Sequence, residues 1–199
     1  MDLKVMNKIS YGLFILTARD GTKDNGCVIN TAMQVTANPN RIAIAVNKSN
    51  YTHDMILKTG EFNISILDES AKFGTFKNFG FKSGRDSDKM AEIKYNRSEN
   101  GITYLTDECN AYVSAKVCST VDLGSHTLFI ADVTDGQILS SNPSATYAFY
   151  HSNIKPAASS APKKGFICTI CGYIYEGDTL PDDFICPICK HPASDFKPL

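Results

Sequence analysis

Two Cys-x-x-Cys pairs constrain this chain more than any other feature: Cys168-Thr169-Ile170-Cys171 and Cys186-Pro187-Ile188-Cys189, with 14 residues between them. Each pair turns two thiolates to one side of a tight loop, and two such loops facing one another supply the four sulfurs of a tetrahedral zinc or iron site. The alternative is a pair of disulfides. Met1-Asp2-Leu3-Lys4 does not begin a secretory leader, and the other cysteines, Cys27, Cys109 and Cys118, share no spacing. Such a chain is expected in a reducing cytoplasm, where thiolates bind metal rather than each other. The three remaining thiols are expected to be buried or idle.

Sulfur geometry does not choose between zinc and iron. Phe166, Ile167, Ile170, Tyr173, Ile174, Tyr175, Phe184, Ile185 and Phe196 wrap the site in apolar and aromatic groups, a shell that limits water and sets the potential of an iron. The pattern Cys168-x-x-Cys171-Gly172-Tyr173-Ile174-Tyr175-Glu176-Gly177, then Pro181, Cys186-Pro187-x-Cys189 and Phe196 resembles a rubredoxin-type domain. The resemblance implies one iron, cycling between Fe3+ and Fe2+, on Cys168, Cys171, Cys186 and Cys189. The interval between the pairs is shorter than in free-standing rubredoxins and is similar to compact tails fused to other redox domains. Lys190 follows the last cysteine where the family has glycine, at a turn that favours positive φ. His191 is expected in solvent.

The rest of the 199 residues are ordinary for a globular protein, with 43% hydrophobic and 21% charged residues. A formal net charge of -1 without basic clusters gives no case for nucleic acid, and no apolar run reaches the length of a membrane span. Residues 152–164, Ser-Asn-Ile-Lys-Pro-Ala-Ala-Ser-Ser-Ala-Pro-Lys-Lys, read as a flexible linker between a domain of residues 1–151 and the metal domain of 165–199.

The large domain reads as mainly β. Gly12 to Ala18, Cys27 to Thr36, Arg41 to Val46, Glu61 to Leu67, Tyr112 to Val121 and Thr127 to Leu139 are β-branched or aromatic runs punctuated by turn residues. They suggest a closed antiparallel barrel. Short helices are expected over Asn50 to Thr59 and Asp68 to Phe76. No Gly-x-Gly-x-x-Gly follows a strand, which disfavours a Rossmann fold.

The segments Gly26 to Pro39, Asn47 to Thr52, Phe62 to Leu67, Ser83-Gly84-Arg85-Asp86-Ser87-Asp88-Lys89 and Gly124-Ser125-His126-Thr127-Leu128 resemble the flavin reductase-like family. Ser125 stands where that family's Gly-Asp-His motif has its acid. The resemblance implies an antiparallel split β-barrel that binds FMN and forms a homodimer. Asn30, Thr31, Gln34 and Thr36 are polar groups of the kind a flavin edge needs, although a strand with one solvated face has the same pattern. Asn47, Lys48, Ser49, Asn50 and Thr52 precede or open a helix, which suits a phosphate seat or an ordinary N-cap. Arg85 and Lys89 are candidates for the same phosphate or for that of NADH or NADPH, and a solvated charged loop is the plain alternative. His126 is assigned a binding role beside flavin and nicotinamide.

Together the halves imply a chain from NAD(P)H through FMN to iron, because nicotinamide delivers two electrons and a tetrathiolate iron takes one. The arrangement resembles high-molecular-weight rubredoxins, which implies a flavodiiron partner that reduces nitric oxide or dioxygen. The alternatives are a flavin reductase releasing reduced flavin with a zinc-ribbon tail as docking module, and a ferric or chromate-type reductase that needs no tail.

Overall fold

Phe14, Ile15 and Leu16 form a continuous apolar run because β1 (Phe14–Asp20) is buried on both faces. In the computed structural model, which describes residues 3–156 and 165–199, alternate side chains of this strand feed two cores. Phe14 and Leu16 pack with Ile44, Phe62, Ile64 and Phe129, whereas Ile15 packs with Leu67, Phe76 and Phe79. The chain divides into two compact units, Met1–Lys155 and Pro156–Leu199.

In the large unit β1 is followed by β2 (Lys23–Ile29), β3 (Ala32–Ala37), β4 (Asn40–Asn47), α1 (Tyr51–Thr59), β5 (Glu61–Leu67) and α2 (Phe73–Phe81). A small hairpin of β6 (Tyr95–Arg97) and β7 (Thr103–Leu105) precedes the long β8 (Cys109–Asp122) and β9 (His126–Ile138), and α3 (Tyr147–Phe149) comes last. Seven strands make one antiparallel ladder in the order β2-β1-β5-β8-β9-β4-β3. β2 and β3 are therefore its two edges although they are consecutive in the chain. The six runs suggested a closed ring; the ladder is open there, and the architecture is the split form.

Three local expectations change. Cys27 to Thr36 is two strands, because at Thr31 the chain leaves β1 for β4: the Thr31 hydroxyl donates to the Ala45 carbonyl (2.7 Å) and the Thr31 carbonyl accepts from the Ala45 amide (3.3 Å). The second helix begins at Phe73 rather than Asp68, since the buried Asp68 carboxylate accepts from the Ser70 amide (2.8 Å) and from Asn142 (3.0 Å) and so builds a turn in place of a helix start. The β6–β7 hairpin was not expected. Its strands are too short for periodicity, and side chains from elsewhere hold it: Asn63 of β5 donates to Ser98 Oγ (2.7 Å) and to the Ile102 carbonyl (3.0 Å).

Burial opposes the charge on Asp68, but hydrogen bonds from Ser70 and Asn142 prevail and hold its carboxyl below the usual range. Stability from this carboxylate is present above the unfolded value, about 3.9, and is lost as pH falls through the lower folded value. Asp68→Asn is expected to cost about 1–2 kcal/mol at neutral pH, and the difference from the parent protein should shrink in acid. A difference in urea midpoint that stays constant from pH 7 to pH 3 would contradict this account.

The small unit is a three-stranded sheet in the order β11 (Ile174–Tyr175), β10 (Phe166–Cys168), β12 (Phe196–Pro198). The Phe184 ring lies 4.7 Å from Tyr175, 5.4 Å from Phe196 and 6.4 Å from Tyr173, centroid to centroid. Of the expected linker, Ser152 to Ile154 continue a helical turn after α3, with Ile154 against the second core; residues 157–164 lie outside the described residues. No described helix is long and apolar enough to cross a membrane.

Candidate functional site

The two cysteine hooks have one backbone geometry. In the first, the Cys168 amide donates to the Tyr173 carbonyl (2.8 Å) and the Gly172 amide to the Cys168 carbonyl (2.9 Å). In the second, the Cys186 amide donates to the His191 carbonyl (2.8 Å) and the Lys190 amide to the Cys186 carbonyl (3.0 Å). Each turn ends on a left-handed residue, Gly172 at φ 77° and Lys190 at φ 62°. Positive φ was expected at Lys190, where an L side chain carries a strain of roughly 1 kcal/mol. Lys190→Gly is expected to stabilise the folded small unit by about 0.5–1 kcal/mol, seen as slower metal loss to a chelator. Faster loss would mean that the lysine side chain contributes more than its backbone costs.

The four Sγ atoms lie within 4.8 Å of one another, with Cys168–Cys189 and Cys171–Cys186 each at 3.5 Å. A tetrahedron with metal–sulfur bonds of about 2.3 Å has edges of about 3.8 Å, whereas a disulfide needs about 2.05 Å. The donor set thus fits a soft, tetrahedral metal. Burial pushes the Cys189 thiol up to about 11, and burial followed by the neighbouring sulfurs also raises Cys171. A cation among them supplies the charge that lets all four ionise. Cys168 and Cys186 are buried, while Cys171 and Cys189 are half-buried. The His191 imidazole is turned outward to Asp195, 2.8 Å away.

The flavin candidates fall into three groups. Asn47, Lys48, Ser49, Asn50 and His126 come together where β4 meets β9: Asn47 is paired with His126, and the Lys48 amide donates to the Ser125 carbonyl (3.0 Å). Asn47 Oδ1 accepts from the Ser49 amide (2.8 Å), and Lys48 reaches Asp122 at 2.6 Å. Asn50 adopts an extended N-cap conformation without a side-chain cap bond, its amide donates to the Asn47 carbonyl (3.0 Å) and its carbonyl accepts from the His53 amide (3.0 Å), so of the first turn of α1 the Tyr51 and Thr52 amides are the ones left to an anion. Thr31 hangs on the same strand two residues away at Ala45, and the neighbouring Asn30 side chain is half-buried. This donor set fits a flavin phosphate and ring edge.

Gln34 and Thr36 belong to the opposite end of the β3–β4 ribbon. Thr36 faces Arg41 in the register, about 20 Å along β4 from Asn47. Both close the hairpin, through Asn40 (2.9 Å) and the Pro39 carbonyl (3.0 Å). Thr52 and Lys89 are turned inward. Thr52 is fully buried and accepts from Asn25 (2.9 Å), and the Lys89 ammonium donates to the Gly26 (2.9 Å) and Phe79 (3.0 Å) carbonyls. Arg85 stands between these cases, exposed and bound to Asp54 at 2.7 Å.

His53 did not stand out in the sequence. It is buried, with Nε2 2.8 Å from the Thr127 hydroxyl and Nδ1 3.3 Å from Asp54, and so ties α1 to the start of β9. The available signal was its place in the buried stripe Thr52, His53, Met55, Ile56. Burial, and then the nearby His53, push His126 below the ordinary histidine value, so its ring is neutral at pH 7. Its Nδ1 lies 2.9 Å from the Ser125 hydroxyl.

The flavin reductase like domain family matches residues 6–158, and the rubrerythrin, rubredoxin-like domain family matches residues 166–197. A high molecular weight rubredoxin from Moorella thermoacetica is 39% identical, with 99% of each chain aligned. A ferric-chelate reductase (NAD(P)H) from Archaeoglobus fulgidus is 34% identical over 76% of this chain and 89% of its own. Among solved structures, the NADH:FAD oxidoreductase SgcE6 of Streptomyces globisporus superposes with a TM-score of 0.66 at 17% identity, covering 72% of this chain and 84% of that one. At that identity the likeness shows the fold.

Proposed function

The chain belongs to the flavin reductase-like family and carries a C-terminal rubredoxin-like domain, and on that footing we propose that electrons from NADH or NADPH pass through FMN in residues 1–151 to one iron on Cys168, Cys171, Cys186 and Cys189, and from there to a separate acceptor protein. The chain is an NAD(P)H-dependent oxidoreductase by family. The observation that carries the onward route is the cluster of four thiol sulfurs within 4.8 Å in the same chain. Bound flavin accepts a hydride and releases electrons singly, and bound iron carries one at a time.

The protein's own groups do the rest. The open amides of α1, with Lys48 and Ser49, seat the flavin phosphate, and Thr31 and Asn30 offer polar groups at the ring edge. His126, neutral beside Ser125, presents an imidazole for binding. Cys171 and Cys189 face outward on the small unit, with Ile170 half exposed next to Cys171; this is the side from which electrons leave. The acceptor proposed is a flavodiiron protein that reduces nitric oxide or dioxygen in the cytoplasm, and the protein works as a homodimer.

An anaerobic visible spectrum with metal analysis, before and after NADH or NADPH, tests the reading. Flavin bands together with thiolate-to-ferric absorption, both bleached by the nucleotide, are expected. Zinc in the tail with flavin reduction alone would overturn the iron route. Nucleotide-dependent oxygen or nitric oxide consumption that does not increase when a flavodiiron protein is added would overturn the partner.

A further inference from the structure

A buried imidazole, His53, stands between the two ends of the site assigned to flavin. We infer that it is a positioning residue that fixes the separation of those ends, so that FMN is held by its phosphate and its ring at once and is chosen over flavins that lack the phosphate. The inference rests on the phosphate seat at the start of α1.

Past Asn50, side chains of the first turn fasten α1 to the barrel. Thr52 accepts from Asn25 of β2 (2.9 Å), and His53, only 4% exposed, places Nε2 2.8 Å from the Thr127 hydroxyl of β9. The Tyr51 and Thr52 amides left to an anion directly precede His53, and His126 directly precedes Thr127. One side-chain bond therefore joins the phosphate end to the end assigned to the ring. The other nitrogen is fixed as well. Nδ1 lies 3.3 Å from one Asp54 oxygen, while Arg85 grips the other at 2.7 Å and holds the carboxyl below its usual range. An ionised carboxylate only accepts, so Nδ1 donates to it. The ring also packs edge-on against Phe129, with centroids 5.7 Å apart. An imidazole with both nitrogens engaged and its ring packed holds its place.

The consequence for binding is one of linkage. Once one end of FMN is seated, the other meets its own site at an effective concentration set by how closely the two separations match. A helix start held rigidly at the right distance makes that match before the ligand arrives and lowers the ordering cost of binding. A helix start free to shift spreads the separation and weakens the second contact. Riboflavin carries the same ring and ribityl chain without the phosphate, so it uses the ring end alone and is indifferent to where α1 begins. His53 thus acts on the preference between the two flavins rather than on flavin binding in general.

Titration of the flavin-free full chain with FMN and with riboflavin tests this. The parent protein should bind FMN more tightly by about 30-fold or more. His53→Phe keeps a ring against Phe129 and loses both nitrogens; it should cut that ratio about 10-fold through weaker FMN binding, with riboflavin held within about 2-fold of the parent value. Thr127→Val removes the other partner and should do the same, and the double variant should lose no more than either single one. His53→Gln, whose amide reaches for the same hydroxyl, should restore most of the ratio. If His53→Phe does not fold, Thr127→Val and His53→Gln carry the test. Equal weakening of both flavins would make His53 a packing residue and overturn the inference, as would an unchanged ratio in the single variants or losses that add in the double one. If the parent protein itself binds the two flavins alike, the phosphate seat at α1 is wrong, and the role of His53 falls with it.

Discussion

Cys186→Ser is expected to empty the iron site and stop electron delivery beyond the flavin, while FMN stays bound and is still reduced by NADH. Cys186 is fully buried at the centre of the small unit, with Cys168 and Phe196 as the other buried members of its core. A hydroxyl is a hard, protonated donor and cannot replace the thiolate of a soft tetrahedral site. A unit this small does not bury enough apolar surface to fold on packing alone, so loss of the metal is also loss of folding free energy. Residues 165–199 should lose amide protection in the variant, and transfer to an acceptor should fall by more than about 100-fold. Flavin content and the melting of the large unit should be unchanged, because the sulfurs and the two large cores belong to separate compact units. Iron analysis, flavin absorbance and hydrogen exchange on one preparation decide the matter. Loss of flavin from this variant would break the division of labour proposed between the two domains, and undiminished transfer would break the iron route.

The second large effect concerns Lys89, which the sequence offered as a phosphate ligand. Its ammonium is buried on two backbone carbonyls and anchors residues 83–90 to β2 and α2. Lys89→Ala leaves the Gly26 and Phe79 carbonyls short of a donor and opens a void where the side chain ran. The combined cost is about 3–4 kcal/mol, or a fall of roughly 10 °C in Tm for a domain of this size.

The pH dependence gives a second readout. Burial holds the Lys89 ammonium below the ordinary lysine value of 10.5. Between its folded and unfolded values the unfolded chain binds more protons, so stability rises with pH across that window, and below the folded value the cost of burying the charge is present in full. Relative to Lys89→Ala, the parent protein should therefore gain stability as pH climbs toward 10. Thermal melts of both proteins from pH 7 to pH 10 measure this. A variant that melts normally but has lost its flavin would return Lys89 to the phosphate.

The corrections share one cause. Lys89 is the same residue type as Lys48, and Thr52 carries a hydroxyl as Ser49 does, but the fold turns Lys89 and Thr52 inward and leaves Lys48 half-buried and Ser49 exposed. Gln34 and Thr36 share strand parity with Asn30, yet the break at Thr31 and the β3–β4 register carry them to the far end of a hairpin. The only local signal for His53 was its place in the buried stripe of α1, which says nothing of its two ring partners, a neighbour on its own helix and a residue 74 positions away. The helix displaced from Asp68 to Phe73 shows the same thing in backbone form: the first-turn acid that suggested a helix start instead bonds Asn142, far along the chain.

The sequence by itself determined the metal donor set, the positive φ after the second hook and the strand-rich barrel, because these depend on spacing within a few residues and on local conformational preference. Only the tertiary structure decided which of several similar polar side chains meet. That depends on strand register and on which carbonyls need a donor once buried, and both are set by contacts between segments distant in the chain.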